Sequence, residues 1–334
     1  MQKILVIQTA FIGDAVLATA ILEKLHHSFP DAELDFMVRK GNESLFKQHP
    51  FLHEVLVWDK KQNKYSHLLQ LLFKIRQKKY DKVINVQRFA ATGFLAAFSG
   101  AKEIIGFNKN PFSFLFTQKI VHVVSDGTHV LHETERNHQL IASFTDAATA
   151  KPKLYPSVDD YAHVASLKQQ AYVCIAPASV WFTKQFPVDK WISFIHETPD
   201  NVCVYLLGAP GDFDLCEEID SQCSHLNVVN LSGKLNFLQS AALMKDAQMN
   251  YVNDSAPMHF ASSVNAPVTA VYCSTIPAFG FGPLSDKSFI VETKEKLDCR
   301  PCGLHGRNAC PLGHFNCANQ ITNEQLLLPL SNSQ

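Results

Sequence analysis

The sequence predicts an α/β protein with two consecutive doubly wound, Rossmann-like domains. Short runs rich in Val, Ile and Leu alternate with helical stretches, which is the pattern of a parallel sheet covered by helices. The alternation stops near residue 150 and then restarts. At 334 residues the chain is also long enough for two hydrophobic cores of ordinary domain size.

The first half of the chain is expected to form one such domain. Strands are predicted at residues 3–8, 33–38, 54–58 and 81–87, and helices at 14–29, 65–79 and 132–145. Residues 147–157 have no helix or strand period and contain two prolines, which is typical of a linker. We therefore place the domains at residues 1–155 and 156–334.

The second half repeats the alternation with nine further segments. The predicted strands are 172–176, 202–207, 227–231, 248–252 and 268–272, and the predicted helices are 188–197, 213–223, 237–245 and 257–264. Open parallel sheets bind ligands at the carboxyl ends of their strands. We therefore expect a ligand crevice there, between the two domains, as in an enzyme with a cleft.

Composition excludes several classes of protein. With 46% hydrophobic and 18% charged residues, and no apolar run near the roughly 18 residues that span a bilayer, the chain is not an integral membrane protein. Asp14 interrupts the apolar start, so we expect no export signal and a cytoplasmic protein. Nine cysteines, an odd number, favour reduced thiols.

Charge is divided unevenly between the halves. Residues 1–150 carry 18 Lys/Arg against 14 Asp/Glu, and the rest carry 12 against 17. The N-terminal half is therefore the better candidate for an anionic partner. The excess is too small for a nucleic-acid-binding face.

A glycine and a carboxylate follow the first predicted strand. Gly13 could allow a tight turn, and Asp14 would then open the next helix at the crevice, where it could take a proton from a hydroxyl group. The alternative is that Asp14 only stabilises the first helical turn. Spacing leaves both interpretations open.

A lysine ends the loop after the first strand of the second domain. In the segment 176–187 it is Lys184, directly after Thr183 and five residues after Ser179. A single cation in the crevice would suit a phosphate group. The alternative is a solvated surface lysine, which is the more common environment.

The segment 253–259, Asn-Asp-Ser-Ala-Pro-Met-His, is the most informative stretch. Asp254 ends a strand and Ser255 is a candidate helix N-cap, so the amides of Ser255 and Ala256 could hold a diphosphate. His259 could approach the same site, and Asp254 would either order the loop or reach another part of the donor. A buried core histidine and a capping carboxylate are the alternatives.

Two further patterns carry weaker signals. Asp212-Phe213-Asp214 has the form of a metal-binding Asp-x-Asp, but alternate residues at a helix start point apart, so we assign Asp212 to a ribose hydroxyl instead.

Four thiols lie within 19 residues, and only the first two have zinc half-site spacing. A packed reduced loop is expected, and structural zinc stays open. These four residues are Cys299, Cys302, Cys310 and Cys317.

Taken together, these segments resemble glycosyltransferase family 9, the ADP-heptose:lipopolysaccharide heptosyltransferases, over almost the whole chain. The matching segments in the first domain are 12–14 (Ile-Gly-Asp) and 132–137 (His-Glu-Thr-Glu-Arg-Asn). In the second domain they are 177–179 with 183–184, 231–234 (Leu-Ser-Gly-Lys), 253–259, and 310–314 (Cys-Pro-Leu-Gly-His).

The resemblance implies a GT-B fold with the acceptor bound by the first domain and an ADP-sugar by the second. It implies an inverting, metal-independent transfer of heptose or a related sugar to a lipopolysaccharide core or similar glycolipid. It also implies that no cofactor is needed, and it allows peripheral contact with the inner membrane. By this resemblance Asp14 is the general base and Lys184 the phosphate-side cation. Donor binding is assigned to Ser179, Thr183, Lys184, Asp212, Asp254, Ser255, Ala256 and His259, and acceptor binding to Gly13, Arg88 and Arg136.

The chain departs from the family pattern where Ala178 and Ala256 replace glycine. An added methyl group at a backbone that approaches phosphate can change the preferred donor. Two other classes stay open: a sugar-nucleotide epimerase, which would turn over donor alone, and a non-catalytic protein that binds a nucleotide sugar.

Overall fold

The computed structural model describes residues 1–61, 64–123 and 130–331. The chain forms two compact units, Met1–Tyr155 and Pro156–Gln334. Each unit contains one six-stranded sheet whose described strand pairs are all parallel. The predicted α/β class is confirmed.

Within its described residues, the first unit is built on six strands and four α-helices. The strands are β1 (Lys3–Ile7), β2 (Glu33–Arg39), β3 (Leu52–Trp58), β4 (Lys82–Asn85), β5 (Glu103–Phe107) and β6 (Gln118–Ile120). The helices are α1 (Ile12–Ser28), α2 (Lys64–Lys78), α3 (Ala90–Ala97) and α4 (Glu133–His138).

The first sheet has the order β3-β2-β1-β4-β5-β6. The chain runs outward from β1 in one direction and then returns to β4 to run in the other, so the strand order reverses between β1 and β4. Loops leave such a reversal in opposite directions and open a ligand crevice at the carboxyl ends of the strands. The segments after β1 and β4 contain Asp14 and Arg88 respectively.

The second unit repeats this design. Its strands are β7 (Tyr172–Ala176), β8 (Cys203–Leu206), β9 (Val228–Asn230), β10 (Met249–Asn253), β11 (Val268–Tyr272) and β12 (Ser288–Glu292). Its helices are α5 (Val158–Val164), α6 (Val188–His196), α7 (Phe213–Gln222), α8 (Phe237–Lys245), α9 (Ala256–Ser263), α10 (Asn316–Asn319) and α11 (Asn323–Ser331).

The second sheet has the order β12-β11-β10-β7-β8-β9, so its reversal lies between β7 and β10. The segments after these two strands contain Lys184 and Asp254. Both central strands are buried along their whole length, as expected for a parallel sheet covered on both faces. The core packs aromatic side chains from α6 and β10 edge to face or tilted, including Trp191, Phe194 and Tyr251.

The structure differs from the sequence prediction in several short elements. The predicted helix 132–145 ends at His138 and continues as turns, in which Leu140 and Ile141 are buried. Helix α3 and strands β5 and β6 lie between residues 88 and 131, where no helix or strand was predicted. Gly93 in α3 is required there, because a Cβ atom would lie 1.9 Å from Asn110 Oδ1. No helix in the three described ranges is both long and apolar enough to cross a membrane.

Candidate active site

Lys184 lies at the strand-order reversal of the second unit, at the end of a short 3-10 helix, Phe182–Lys184. Its Nζ atom is 2.7 Å from Asp254 Oδ2, and the two side chains are only 15% and 10% exposed. Lys184 is therefore an ion-paired residue of the sheet edge, and not the solvated surface lysine of the alternative interpretation.

Asn253 joins the two loops that carry this ion pair. Its side chain accepts a hydrogen bond from the Phe186 amide (3.0 Å) and donates one to the Pro177 carbonyl (2.7 Å). Since β7 and β10 are neighbours in the sheet, these bonds hold the loop after one strand against the end of the other. No separate role was predicted for Asn253. Its position as the last residue of β10, next to Asp254, was the available signal.

Asp254 also accepts a hydrogen bond from Thr275 Oγ1 at 2.7 Å. Thr275 is buried and follows β11, so three adjacent strands contribute to one polar group. Asp254 thus orders its loop, the role considered for it from the sequence. Thr275 was missed, although it follows a predicted strand at the same sheet edge.

The first turn of α9 lies directly beside this group. Ser255 is the N-cap residue in extended conformation, its side chain makes no capping bond, and a proline occupies the first turn. Backbone N–H groups at a helix start have no acceptor within the helix and favour anions. His259 is in the same helix and is 5% exposed. The arrangement can present one cation and a helix N-terminus to a phosphate.

Other predicted donor residues have protein partners in the structure. The Ser179 carbonyl accepts from Gln185 Nε2 at 2.6 Å. Asp212 Oδ2 accepts the Ala209 amide at 2.7 Å and caps the short helix Pro210–Asp212. Thr183 is 1% exposed, and its hydroxyl contacts the loop around Arg307, so the structure directs it toward that loop and not toward solvent.

In the first unit, Asp14 is the third residue of α1 and is half-buried. Its Oδ2 atom accepts a hydrogen bond from the Phe11 amide at 3.1 Å, which caps the helix. A carboxylate at this position is stabilised by the helix dipole. The turn-stabilising interpretation is therefore observed, and it leaves a partly exposed carboxylate at the end of β1.

Gly13 does not make the predicted tight turn. It is the second residue of α1 and has helical backbone, because the change of direction is completed earlier, at the extended N-cap residue Phe11. In that turn the Ala10 amide donates to Gln8 Oε1 at 3.2 Å. The prediction of a glycine-specific turn at residue 13 is wrong.

Glu133 is a second carboxyl group beside Asp14, and no separate role was predicted for it. It is the first residue of α4, which packs against α1. Burial raises its pKa to about 7, the Asp14 carboxylate adds to this, and the Arg136 guanidinium opposes it. The spacing of Glu133 and Arg136, one helical turn, was the signal for this pair.

The two predicted acceptor arginines have different environments. Arg136 is 2% exposed, pairs with Glu133, and donates to the carbonyls of Val123 (2.7 Å) and Leu131 (3.2 Å). It therefore holds the entry to α4 and is not open to a ligand. Arg88 is exposed, and its charge contributes to lowering the pKa of His122 to about 4, mainly an effect of burial.

One group of metal-type ligands lies elsewhere in the first unit. Within the described residues, Glu33, Asp35 and His53 have ligand atoms within 4.8 Å of one another. Asp35 already accepts a hydrogen bond from Tyr80 and lies 3.4 Å from Lys78 Nζ. The group lies where β2 and β3 begin, at the sheet edge opposite to Asp14, and takes no part in the site.

Comparison with known proteins identifies the family. The family model described as glycosyltransferase family 9 (heptosyltransferase) matches residues 68–306, which is more than half of the chain. The chain belongs to glycosyltransferase family 9. It is therefore a glycosyltransferase of the heptosyltransferase family.

Curated relatives and a solved structure agree with this assignment. The chain is 25% identical to lipopolysaccharide heptosyltransferase 3 of Escherichia coli, over 96% of this chain and 98% of that protein. It is 24% identical to the lipopolysaccharide core heptosyltransferase OpsX of Haemophilus influenzae, over 81% and 79%. The structure of the E. coli ADP-heptose lipopolysaccharide heptosyltransferase II superposes with a TM-score of 0.81 at 20% identity, covering 99% of this chain and 98% of that one. The family 9 enzyme therefore has the GT-B fold.

Proposed function

We propose that this family 9 enzyme transfers heptose, or a closely related sugar, from an ADP-sugar to a lipopolysaccharide core or similar glycolipid acceptor. The ion pair of Lys184 with Asp254 beside the N-terminus of α9 carries the proposal, because it provides a cation and helix amides for a diphosphate. The names of the relatives, which act on lipopolysaccharide and in one case on ADP-heptose, support this choice of substrates.

In the proposed donor site, Lys184 is the cation that meets the phosphate, because an ammonium group has three donors and can serve Asp254 and a phosphate oxygen together. The amides of Ser255 and Ala256 form the cradle, with His259 behind them. Asp212 is assigned to a ribose hydroxyl.

The transfer is proposed as a single inverting displacement. The acceptor hydroxyl gives its proton to the Asp14 carboxylate while its oxygen forms a bond to the anomeric carbon. The bond from that carbon to the phosphate oxygen breaks, and ADP leaves with the electron pair, its charge stabilised by Lys184. No metal or other cofactor takes part in this step.

Asp14→Asn tests the proposal. Asparagine keeps the size and can still accept the Phe11 amide, but it cannot act as a base, so turnover should fall by about 100- to 10,000-fold. ADP affinity should stay unchanged. Sugar transfer is measured with ADP-heptose and truncated lipopolysaccharides in EDTA and again with added Mg²⁺ or Mn²⁺.

Asp31→Asn is the matched control, because it removes an exposed carboxylate of the same unit. Transfer by Asp14→Asn within a few-fold of wild type would exclude Asp14 as the base. Stimulation by Mg²⁺ or Mn²⁺ would contradict the metal-free step. Turnover of the donor without any acceptor would indicate an epimerase.

A peripheral position at the cytoplasmic face of the inner membrane is part of the proposal. The segment 88–119 of the first unit exposes large apolar side chains, among them Phe89 (64% exposed) and Phe114 (71%). The same segment carries exposed cations, including Arg88 and Lys109. Aromatic groups interleaved with cations suit the interface of an anionic membrane, where a glycolipid acceptor is found.

A further inference from the structure

The last third of the second unit contains a small cavity lined by four of the nine cysteines. The cavity has a volume of about 50 Å³ and also borders Thr183, Ser274 and Arg300. All nine cysteines of the chain are free thiols. We name as the cysteine cluster the four that line it, Cys299, Cys302, Cys310 and Cys317.

The backbone around Cys310 forms a tight turn. In the sequence Cys-Pro-Leu-Gly-His, Gly313 has a φ of +73°, which reverses the chain direction here. The Gly313 amide donates to the Cys310 carbonyl at 3.1 Å and closes the turn. Successive N–H groups in such a turn form an anion-binding concavity, as at many iron–sulfur sites.

The turn after Cys302 has a related form. Gly303 directly follows the second cysteine of the Cys-x-x-Cys pair and has a φ of +85°. Glycine is the residue that adopts this conformation without strain. A glycine with left-handed backbone thus follows each of these cysteines: Gly303 comes one residue after Cys302, and Gly313 comes three residues after Cys310. The second pair, Cys310 and Cys317, lacks Cys-x-x-Cys spacing in sequence but reaches the same cavity.

A fixed cation lies beside the cluster. The Arg300 side chain donates to the carbonyls of Cys273 (2.8 Å) and Thr275 (2.8 Å) and pairs with Glu292 (2.6 Å). Four thiolates around a divalent cation carry a net charge of −2, and a guanidinium held at the cavity offsets part of it.

We propose that the cysteine cluster is a structural binding site for one thiophilic divalent cation of the zinc class. Tetrahedral coordination by four cysteine sulfurs is the usual form of a structural zinc site. No three of the cluster's sulfurs lie within 4.8 Å of one another in the described structure. Binding therefore draws side chains of the 299–317 loop inward around the cavity.

The site lies directly behind the lysine of the proposed donor site. Thr183 and Arg307 are joined by two hydrogen bonds, Thr183 N to Arg307 O (3.0 Å) and Arg307 N to Thr183 Oγ1 (2.8 Å). Gly306 packs so closely that a Cβ atom there would lie 2.9 Å from Lys184 Cγ. A bound cation stiffens the loop that supports Lys184. This consequence rests on the proposed function, whereas the site itself does not.

Metal binding by the full-length protein is the test. The protein is purified under reducing conditions, stripped with a chelator and titrated with Co²⁺, whose thiolate charge-transfer absorption reports sulfur coordination directly. We expect one equivalent of Co²⁺ per chain and its displacement by Zn²⁺. Cys302→Ser and Cys310→Ser should weaken binding by more than about 100-fold.

Two control variants keep the result specific. Cys223→Ser removes a half-buried thiol of the same unit outside the cluster, and Glu33→Gln disables the carboxylate group of the first unit. Both should bind Co²⁺ as wild type does. If a serine variant fails to fold, the wild-type spectrum still decides whether sulfur coordinates the ion.

Three outcomes would overturn the proposal: no bound ion, a cobalt spectrum without thiolate absorption, or binding unchanged in Cys302→Ser and Cys310→Ser. A disulfide within the cluster under the same reducing conditions would also overturn it. None of these results bears on the Asp14 assay, so failure of the metal site and failure of the proposed transfer are separable.

Discussion

At the scale of single residues, the ion pair between Lys184 and Asp254 explains why a lysine in a loop is held in place. Both side chains are largely buried, and removing one partner leaves the other charge unpaired. The pair also means that Lys184 approaches a ligand from a defined position, and not as a mobile surface group.

Lys184→Ala should therefore weaken ADP binding strongly. A charge-assisted contact contributes about 1.5–3 kcal/mol, which corresponds to roughly 10- to 150-fold in the dissociation constant. Calorimetric titration with ADP measures it. Lys245→Ala, which removes an exposed lysine of the same unit, is the control and should bind as wild type does. Equal affinity in Lys184→Ala and wild type would remove Lys184 from the donor site.

Glu133 gives stability a specific dependence on pH. Its pKa is raised from 4.5 to about 7 in the folded protein, so between these values the folded state binds more protons than the unfolded state. This contribution to the free energy of unfolding is complete below about pH 4.5 and is lost as pH rises to about 7. It amounts to at most about 3 kcal/mol.

Glu133→Gln should remove this pH dependence, because glutamine does not titrate. Urea unfolding at several pH values between 4.5 and 8 gives the slope for each variant. Glu103→Gln, at an exposed glutamate of the same unit, should keep the wild-type slope. Identical slopes for Glu133→Gln and wild type would show that Glu133 keeps an ordinary pKa.

At the scale of elements, the loop before α6 is stabilised from behind by the loop around Arg307. The Thr183 hydroxyl accepts from the Arg307 amide in that loop and, at 3.0 Å, from Ser274 Oγ just after β11. Valine has the same shape as threonine but leaves the Arg307 amide and the buried Ser274 hydroxyl without this acceptor. The cost is about 1–3 kcal/mol for an unsatisfied buried group.

Thr183→Val should accordingly lower the free energy of unfolding by about 2 kcal/mol and also weaken ADP binding, because Lys184 is the next residue. Thr183→Ser retains the hydroxyl and should restore most of both properties. Urea unfolding and ADP titration measure the two effects. A stability loss without any change in ADP affinity would show that the loop does not position Lys184.

Elements with strong local signals were predicted well from sequence. The predicted bounds of β7, β11 and α8 agree with the structure. By contrast, α3 (Ala90–Ala97) has almost no polar face and so no helical period, and β6 has only three residues. Strand β12 is an edge strand with little buried surface. These segments depend on tertiary packing, which a local pattern does not contain.

The site was predicted as separate residues, and the contacts between them were not. Lys184 and Asp254 are 70 positions apart, and only the adjacency of β7 and β10 joins them. Likewise, no periodic pattern in the sequence joins Thr183 to Arg307. Burial of Arg136 was missed because its partners include two backbone carbonyls, which any sequence provides.

At the scale of the whole molecule, the exposed aromatic and basic segment 88–119 should cause binding to anionic membranes. The double variant Phe89→Ser and Phe114→Ser should reduce flotation with phosphatidylglycerol vesicles by about 10-fold or more, since two large apolar side chains no longer enter the interface. Binding should also weaken with salt.

Val158→Ser, at a residue 84% exposed in the second unit, is the matched control and should float as wild type does. Phosphatidylcholine vesicles should bind the protein more weakly because they lack net negative charge. Equal flotation of the double variant and wild type would place the membrane contact elsewhere, and no flotation of wild type would exclude it.

The ion pair of Lys184 and Asp254 has a kinetic consequence for a nucleotide that binds there. When a diphosphate departs, Lys184 is not returned to water as a bare charge, since the Asp254 carboxylate at 2.7 Å neutralises it at once. In the proposed donor site, the carboxylate is thus a resident counter-ion that shares the ammonium group with an incoming phosphate. In that proposed site, this sharing would lower the affinity for ADP and shorten its residence time, so that the spent nucleotide could be exchanged for the next donor.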